Sequence, residues 1–402
     1  GPADRNPAQL GEIEKHYRES MAAYSALLKK LREQVAERAK LEKSFVRVMV
    51  MQDKPGSRKS FILDKGLYNQ KREEVSAEVP QSLPALPEKA PRNRLSLARW
   101  LVDPSHPLTA RVTVNREWQK FFGTGLVKTV EDFGAQGEKP THPELLDWLA
   151  GEFIRGGWDL KALHRLIVTS ATYRQSARWT TQLARKDPAN RLLGRGPRWR
   201  MPSWMIRDHA LAASGLLVKR IGGPSVKSYQ PKGVWAEATF GKMRYSQDKG
   251  EKLYRRSLYT FWRRIIGPTI FFDTAKRQTC EVRKILTNTP LHALATLNDV
   301  TYVEAARALA QRVLEKAGPE PTARATMAFR LATCRRPDAA ELKILLGRLA
   351  ILKKQYSADP GEAVKLLSVG DSPRNAKLDA IEHAAYTGLC SLVLNLDEVL
   401  TK

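Results

Sequence analysis

Six polar residues gather between positions 115 and 147: Asn115, Arg116, Asp132, His142, Glu144 and Asp147. An imidazole beside several carboxylates is material for general acid–base catalysis, because different surroundings can keep one carboxyl protonated and another ionised. Asp132 and His142 are the candidates for proton transfer here, and Asn115 and Arg116 for ligand binding. The same residues have plain structural uses. Glu144 suits a helix cap, Asp147 falls one turn later, and Asp132 can pair with Arg116. Asp132-Phe133-Gly134 is no kinase signature, since neither a Gly-rich loop nor a His-Arg-Asp loop accompanies it.

Two further stretches carry cations among aromatic rings. Arg191, Arg195, Arg198 and Arg200 precede Arg207-Asp208-His209, Trp199 and Trp204 interleave with them, and no acid lies between Asp187 and Asp208. Guanidinium forks bind carboxylate or sulphate in bidentate fashion, and an indole face stacks on a sugar ring or a base. Arg198, Trp199, Arg200 and Arg207 are therefore candidate ligand contacts, with Asp208 a third acid–base candidate. Core packing of the Trp residues, with the Arg residues paired elsewhere, is the structural alternative. Lys252, Arg255, Arg256, Arg263 and Arg264 surround Tyr254, Tyr259, Phe261 and Trp262. That mixture suits a polyanion groove, with Arg255 and Arg256 as contacts, and equally suits a buried strand with charged ends. Asp273, near Arg277 and Cys280, is the fourth acid–base candidate. A lone Cys beside Arg can be an activated thiolate, although a buried inert thiol is the commoner use.

Metal ligation finds no support. The seven His residues are dispersed with no i, i+4 pair, and the three cysteines, Cys280, Cys334 and Cys390, form no Cys-x-x-Cys and no disulfide framework. Neither a metal site nor a covalently attached haem is expected on this chain.

The elements that must position these groups are mostly helical. Leu10, Ile13, Tyr17, Met21, Tyr24, Leu28, Leu31 and Val35 recur at three and four residues, predicting a long amphipathic helical arm over 1–43. Phe45–Met51 and Ser60–Leu63, joined through Lys54-Pro55-Gly56-Ser57, read as a β-hairpin, and the prolines from Pro80 to Pro91 as a linker, giving a segment 44–91. A helical core follows over 92–298, with helices near 95–102, 112–122, 145–154, 161–170 and 204–218. The helix from 145 is expected to open on a capping box at Thr141-His142-Pro143-Glu144. Residues 219–250 form a long irregular loop of the kind that carries function or motion. A helical bundle closes the chain over 299–402, one helix opening on Asp338-x-x-Glu341 and the last spanning 376–400. The fold class is mainly α: a multi-helix globular assembly with a small β-hairpin near the N-terminus and long irregular loops.

Lys and Arg number 68 against 42 Asp and Glu, a net charge of +26 with pI near 10.1. Such a field attracts polyanions: nucleic acid, sulphated or uronic polysaccharide, or an acidic membrane surface. An acidic neighbouring domain would meet the same need. No apolar run reaches the roughly 18 to 20 residues of a membrane span. Gly1-Pro2 reads as the scar of a removed tag, so the natural N-terminus is expected upstream.

Many runs in this chain coincide with those of one family. They include Leu97-Ala98-Arg99-Trp100-Leu101, Pro107-Leu108-Thr109-Ala110-Arg111-Val112, Val114-Asn115-Arg116 and Asp132-Phe133-Gly134. Thr141-His142-Pro143-Glu144-Leu145-Leu146-Asp147-Trp148, Ile206-Arg207-Asp208, Tyr254-Arg255-Arg256-Ser257-Leu258-Tyr259, Thr287-Asn288-Thr289-Pro290-Leu291 and Leu297-Asn298-Asp299 continue the series. Over about residues 45–402 the chain resembles a planctomycete-specific domain of unknown function, found C-terminally in multidomain cytochrome-c-type proteins. The resemblance implies an exported, extracytoplasmic protein with haem on a separate module, often in the company of polysaccharide-degrading and sulfatase enzymes. It implies no activity for any particular residue. Trp204 replaces the usual Glu, Ala275 a Pro, and His292 a Gln, and Arg72 falls near an expected Gly, so a generic family mechanism does not transfer directly.

Three functions remain in view. The first is a module that binds or helps process acidic polysaccharide. The second is a carbohydrate-active enzyme with an Asp/His acid–base pair. The third is nucleic-acid binding, which charge alone supports and for which no recognised module is present. The oligomeric state is not legible.

Overall fold

The computed structural model describes every residue except 1–4, 54, 55, 57, 264, 265, 269, 275–279 and 283–285. Lys54, Pro55 and Ser57 of the expected hairpin turn, Arg264, Ala275 and Arg277 lie outside the described residues. Helix dominates, and the chain divides into two compact units, Gly1–Ala98 and Arg99–Lys402.

The first unit carries α1 (Pro7–Ser20) and α2 (Ala22–Ser44). Asn6 opens α1 through a capping box with Gln9, and the extended backbone of Met21 separates the two helices. The apolar stripe is real but no residue of either helix is buried. The two-stranded antiparallel sheet is β1 (Ser60–Leu63) with β2 (Lys71–Val75), pairing Ser60 with Val75. This corrects the expected partner: Phe45–Met51 is not a strand and lies exposed. The turn instead forms at Asp64–Gly66, where Lys65 and Gly66 adopt positive φ, and the charged Lys-Arg-Glu-Glu-Val run supplies the second strand.

After α3 (Arg94–Leu101), the second unit is built on two hydrophobic clusters. α4 (Thr109–Phe122), α5 (Pro143–Arg155) and α6 (Leu160–Thr169) enclose Val114, Trp118, Phe122, Leu146, Leu149, Phe153 and Ile167. The larger cluster joins α8 (Ser203–Ser214), preceded by α7 (Thr181–Lys186), to α11 (Val300–Lys316), α12 (Pro321–Thr333), α13 (Ala339–Ala358) and α15 (Ala380–Leu394). Small residues let these helices approach closely: Ala305, Ala306, Ala310, Ala325, Ala328 and Ala385 are all fully buried. Short helices α9 (Val234–Ala238), α10 (Pro290–Asn298), α14 (Pro360–Leu367) and α16 (Asp397–Leu400) complete the unit.

Helix ends follow local chemistry. α13 opens on the expected reciprocal box of Asp338 and Glu341. α5 does not open on one. Its N-cap is His142, whose side chain makes no cap bond, while Thr141 turns its hydroxyl toward His142 Nδ1. α8 stops at Ser214 because Gly215 takes a left-handed conformation, four residues before the expected end. The expected final helix is two, parted at Asn395 and Leu396.

Candidate functional site

The site begins where α6 ends. Residues 173–200 hold Arg174, Arg178, Arg185, Lys186, Arg191, Arg195, Arg198 and Arg200 against one acid, Asp187. That acid forms no ion pair among the described residues; its two carboxylate oxygens accept from the backbone N–H of Arg191 (2.8 Å) and Leu192 (2.7 Å). Gln175 donates to Leu193 O at 3.0 Å and Gly196 N–H donates to Ser176 O at 2.9 Å, so the two limbs of the stretch are tied side by side. Arg174, Arg178, Arg185 and Lys186 are exposed, and Trp179 beside them is 62% exposed. None of these four cations is in an ion pair among the described residues.

Three of the arginines organise the face. Arg191 reaches across to Gly125 O (2.8 Å) and Leu126 O (3.3 Å), and Arg195 to Asp187 O (3.2 Å) and Pro188 O (3.0 Å). Carbonyls satisfy the donors but leave the positive charge in place. Arg198 pairs with Asp397. Arg191, Arg195, Arg198 and Trp199 line a pocket of about 270 Å³ floored by Trp118 and Phe122. Arg198 also borders a cleft of about 790 Å³, with Arg178 on the same side and Phe329, Ile344, Leu345 and Leu396 contributing apolar surface. Trp199 itself is fixed by its indole N–H to Phe121 O at 3.2 Å and by backbone exchange with Lys402.

Asn115 builds the pocket from below. Fully buried, it donates to Val127 O and accepts from Val127 N–H, both at 2.9 Å. The Gly125–Val127 turn closes over it so tightly that a Cβ at Gly125 would stand 2.5 Å from Val127 O and 2.6 Å from Asn115 Nδ2. Asn115 is thus a scaffold for the pocket rather than a contact in it. Arg116 is exposed, and no ion pair joins it to Asp132.

The remaining expected residues lie elsewhere. Asp132 accepts from Gly134 N–H at 2.7 Å inside a tight turn, and Asp147 pairs with Arg111 at 2.6 Å. Arg207 has no exposed surface: its Nη1 donates to Arg255 O (2.9 Å) and Ser257 Oγ (3.1 Å), and its Nη2 to Leu253 O (2.8 Å). Burial pushes its pKa down, with the neighbouring Asp208 charge opposing. Asp208 accepts from Ser257 N–H (2.8 Å) and Ser257 Oγ (2.7 Å). Arg255 is buried against Tyr259 and donates to Arg220 O and Gly222 O, whereas Arg256 is exposed. Arg200 bridges to Thr401 and lies over the Phe272 ring.

Asp273 stands in a second polar group, distinct from the basic face. Its φ is +55°, a conformation that a non-glycine residue adopts under strain, and its carboxylate accepts from Thr287 N–H (2.6 Å) and Oγ1 (2.8 Å). His292 Nε2 is 4.0 Å from Asp273 Oδ1, its ring stacks on Phe272 at 4.0 Å, and its buried Nδ1 has no hydrogen-bond partner among the described residues. On α8, burial lowers the pKa of His209, whose Nε2 lies 2.9 Å from Ala332 O.

Two features escaped the sequence reading. Trp179 with Arg174, Arg178, Arg185 and Lys186 lies just upstream of the arginine run, and its signal was the same excess of cations over acids. Glu117, nearly buried, receives Lys120 Nζ (2.6 Å) and lies 2.7 Å from His164 Nε2. Burial pushes its carboxyl up, but those hydrogen bonds and charges outweigh it and hold the pKa below the ordinary value. Among the described residues no group of three or more His, Cys, Asp or Glu is placed to hold a metal ion, and no helix is long and apolar enough to cross a membrane.

An ion network also lines the cleft. Arg335 donates to Glu341 (2.5 and 2.8 Å) and Glu398 (2.9 Å). The Arg335 hydrogen bond, then that from Asp338 N–H, brings the Glu341 carboxyl down to about 2 from 4.5. A carboxyl whose folded pKa is depressed supports folding fully above its unfolded value and loses that support as pH falls through the folded value. Glu341→Gln should therefore flatten the acid limb of thermal stability between about pH 4.5 and about pH 2. Calorimetric scans across that window check this. Parallel acid limbs for the two chains would contradict it.

Residues 93–349, well over half of the chain, match the family described as PSD1, protein of unknown function (DUF1553), and the chain belongs to that family. No curated protein and no solved structure matches it.

Proposed function

We propose that this domain binds acidic polysaccharide, sulphated or uronic, along the basic aromatic face of residues 173–200. The setting we propose is the exported, cytochrome-type protein implied by the family resemblance. One observation carries the reading: four exposed cations without acidic partners among the described residues flank an exposed indole, beside a pocket whose arginines bond to carbonyls or, at Arg198, to one exposed carboxylate. Sulphate and carboxylate fit guanidinium forks, and the flat apolar face of a sugar ring fits an indole. Heparin-column retention tests the reading. The chain should be retained at low salt and released steeply as the Debye length falls from about 30 Å at 0.01 M to about 8 Å at 0.15 M. Trp179→Ser should elute earlier than the parent at equal charge. Co-elution of the two would remove the indole from the site.

A second reading, turnover of an anionic glycan, is favoured by the Asp273–His292 pair, where a strained carboxylate lies 4.0 Å from an imidazole whose other nitrogen has no partner among the described residues. Asp273→Asn should then abolish release of reducing ends while heparin retention persists. Release of reducing ends that is unchanged by the substitution, or absent from the parent chain, counts against this reading.

A further inference from the structure

The long irregular segment and the 3-10 turn after it meet in a second exposed feature, separate from the basic face. Residues 219–225 are pinned at both ends to 254–261. Val218 N–H donates to Tyr254 O at 3.0 Å, Val226 N–H to Tyr259 O at 2.8 Å, and Phe261 N–H to Val226 O at 2.7 Å. Between these anchors, the buried Arg255 guanidinium stacks on Tyr259 at 3.9 Å and donates to Arg220 O (3.0 Å) and Gly222 O (2.7 Å). The Tyr259 hydroxyl accepts from Gly222 N–H at 2.7 Å. Two loops are thereby held as one tip by a cation that never reaches solvent.

That tip displays two aliphatic side chains. Ile221 is 84% exposed and Leu258 is 77% exposed. Lys219, Arg220 and Arg256, the charged residues flanking them, are exposed, and none is in an ion pair among the described residues. Single exposed aliphatics are common and need no explanation. Two on adjacent loops, fixed by a buried arginine and flanked along the chain by Lys219, Arg220 and Arg256, form a pattern with a physical use.

We infer that residues 219–222 and 256–259 dock the domain on an anionic membrane surface, with Ile221 and Leu258 entering the acyl boundary and Lys219, Arg220 and Arg256 meeting lipid phosphates. A polysaccharide would satisfy the cations but offers hydroxyls and charges to the aliphatic side chains. A stable protein partner would bury about 800 Å² of this surface, far more than a tip of two short loops presents. A lipid interface uses both components, because cations near an anionic leaflet and shallowly inserted apolar groups add to one another. Attachment of this kind is peripheral and needs no spanning helix.

The test is sedimentation of the 402-residue chain with vesicles of phosphatidylglycerol and phosphatidylcholine, against vesicles of phosphatidylcholine alone. Binding is expected only to the anionic vesicles. Lys219→Ala/Arg220→Ala/Arg256→Ala should lower partitioning on the order of 100-fold, the combined effect of three cations near an anionic leaflet. Ile221→Ser/Leu258→Ser should lower it by about tenfold or more, with heparin retention unchanged. These five side chains are on the surface, and far-UV circular dichroism with a cooperative thermal transition checks that each variant is folded. Indifference of vesicle binding to the aliphatic pair would reduce the tip to plain electrostatic attraction and overturn the inference. So would absence of binding to anionic vesicles, or loss of heparin retention in the Ile221→Ser/Leu258→Ser variant.

Discussion

Gly370→Ala is expected to destabilise the domain by about 3–5 kcal/mol, the sum of left-handed strain on a side chain and overpacking of a closed site. Gly370 has φ +91°, and a Cβ there would stand 2.5 Å from Glu304 Cγ and closer still to its carboxyl atoms. Glu304 cannot give way cheaply. It is buried at 1% exposure and accepts from Tyr229 Oη (2.9 Å), Tyr254 Oη (2.8 Å) and Ser372 N–H (2.6 Å), with Arg307 at 3.7 Å. These contacts tie the irregular segment, α11 and the 370–372 turn together. Burial and the Glu304 charge raise the pKa of both tyrosines, so they remain protonated donors at any physiological pH. Urea unfolding monitored by tryptophan fluorescence measures the loss. A change within about 0.5 kcal/mol, the range of ordinary surface substitutions, would contradict this account of the turn.

Arg207→Ala should cost about 3–5 kcal/mol, the range seen when one partner of a buried charged network is removed. The substitution leaves Leu253 O, Arg255 O and Ser257 Oγ short of a donor and strips Asp208 of its cationic neighbour. Arg207→Lys should recover only part of the loss, since an ammonium cannot reproduce the planar fork that serves Leu253 O and Arg255 O at once. Heparin affinity of whatever fraction remains folded should match the parent, because the guanidinium has no exposed surface. Full stability combined with lost heparin affinity would instead make Arg207 a ligand contact.

Periodicity and cap chemistry made most helices legible, and the Asp338–Glu341 box formed as expected. Errors arose where a signal was local and non-periodic. Gly215 ended α8 early, and the hairpin chose a charged strand over the apolar Phe45–Met51 because the tight turn at Asp64–Gly66 decided the pairing. The basic character of the site could be read from composition. Which arginines face outward could not, since Arg207 and Arg255 are buried by carbonyls 46, 48, 35 and 33 residues away in the chain. Asn115 and Arg198 read from the sequence as ligand contacts in two separate stretches, and the role of Asn115 as a scaffold under the Gly125–Val127 turn depends on a contact 12 residues off.

Calorimetric titration with a heparin oligosaccharide tests the central claim most directly. Two variants of equal charge are compared: Arg178→Ala/Arg185→Ala/Lys186→Ala, within the basic aromatic face, and Lys316→Ala/Lys354→Ala/Lys377→Ala, exposed lysines outside it. A polysaccharide site at this face should give a saturable heat, an affinity loss of about tenfold or more for the first variant at modest contact energies, and a much smaller loss for the second. Equal losses would mean that the charge of +26 acts only as a diffuse field, and would contradict a polysaccharide site at residues 173–200.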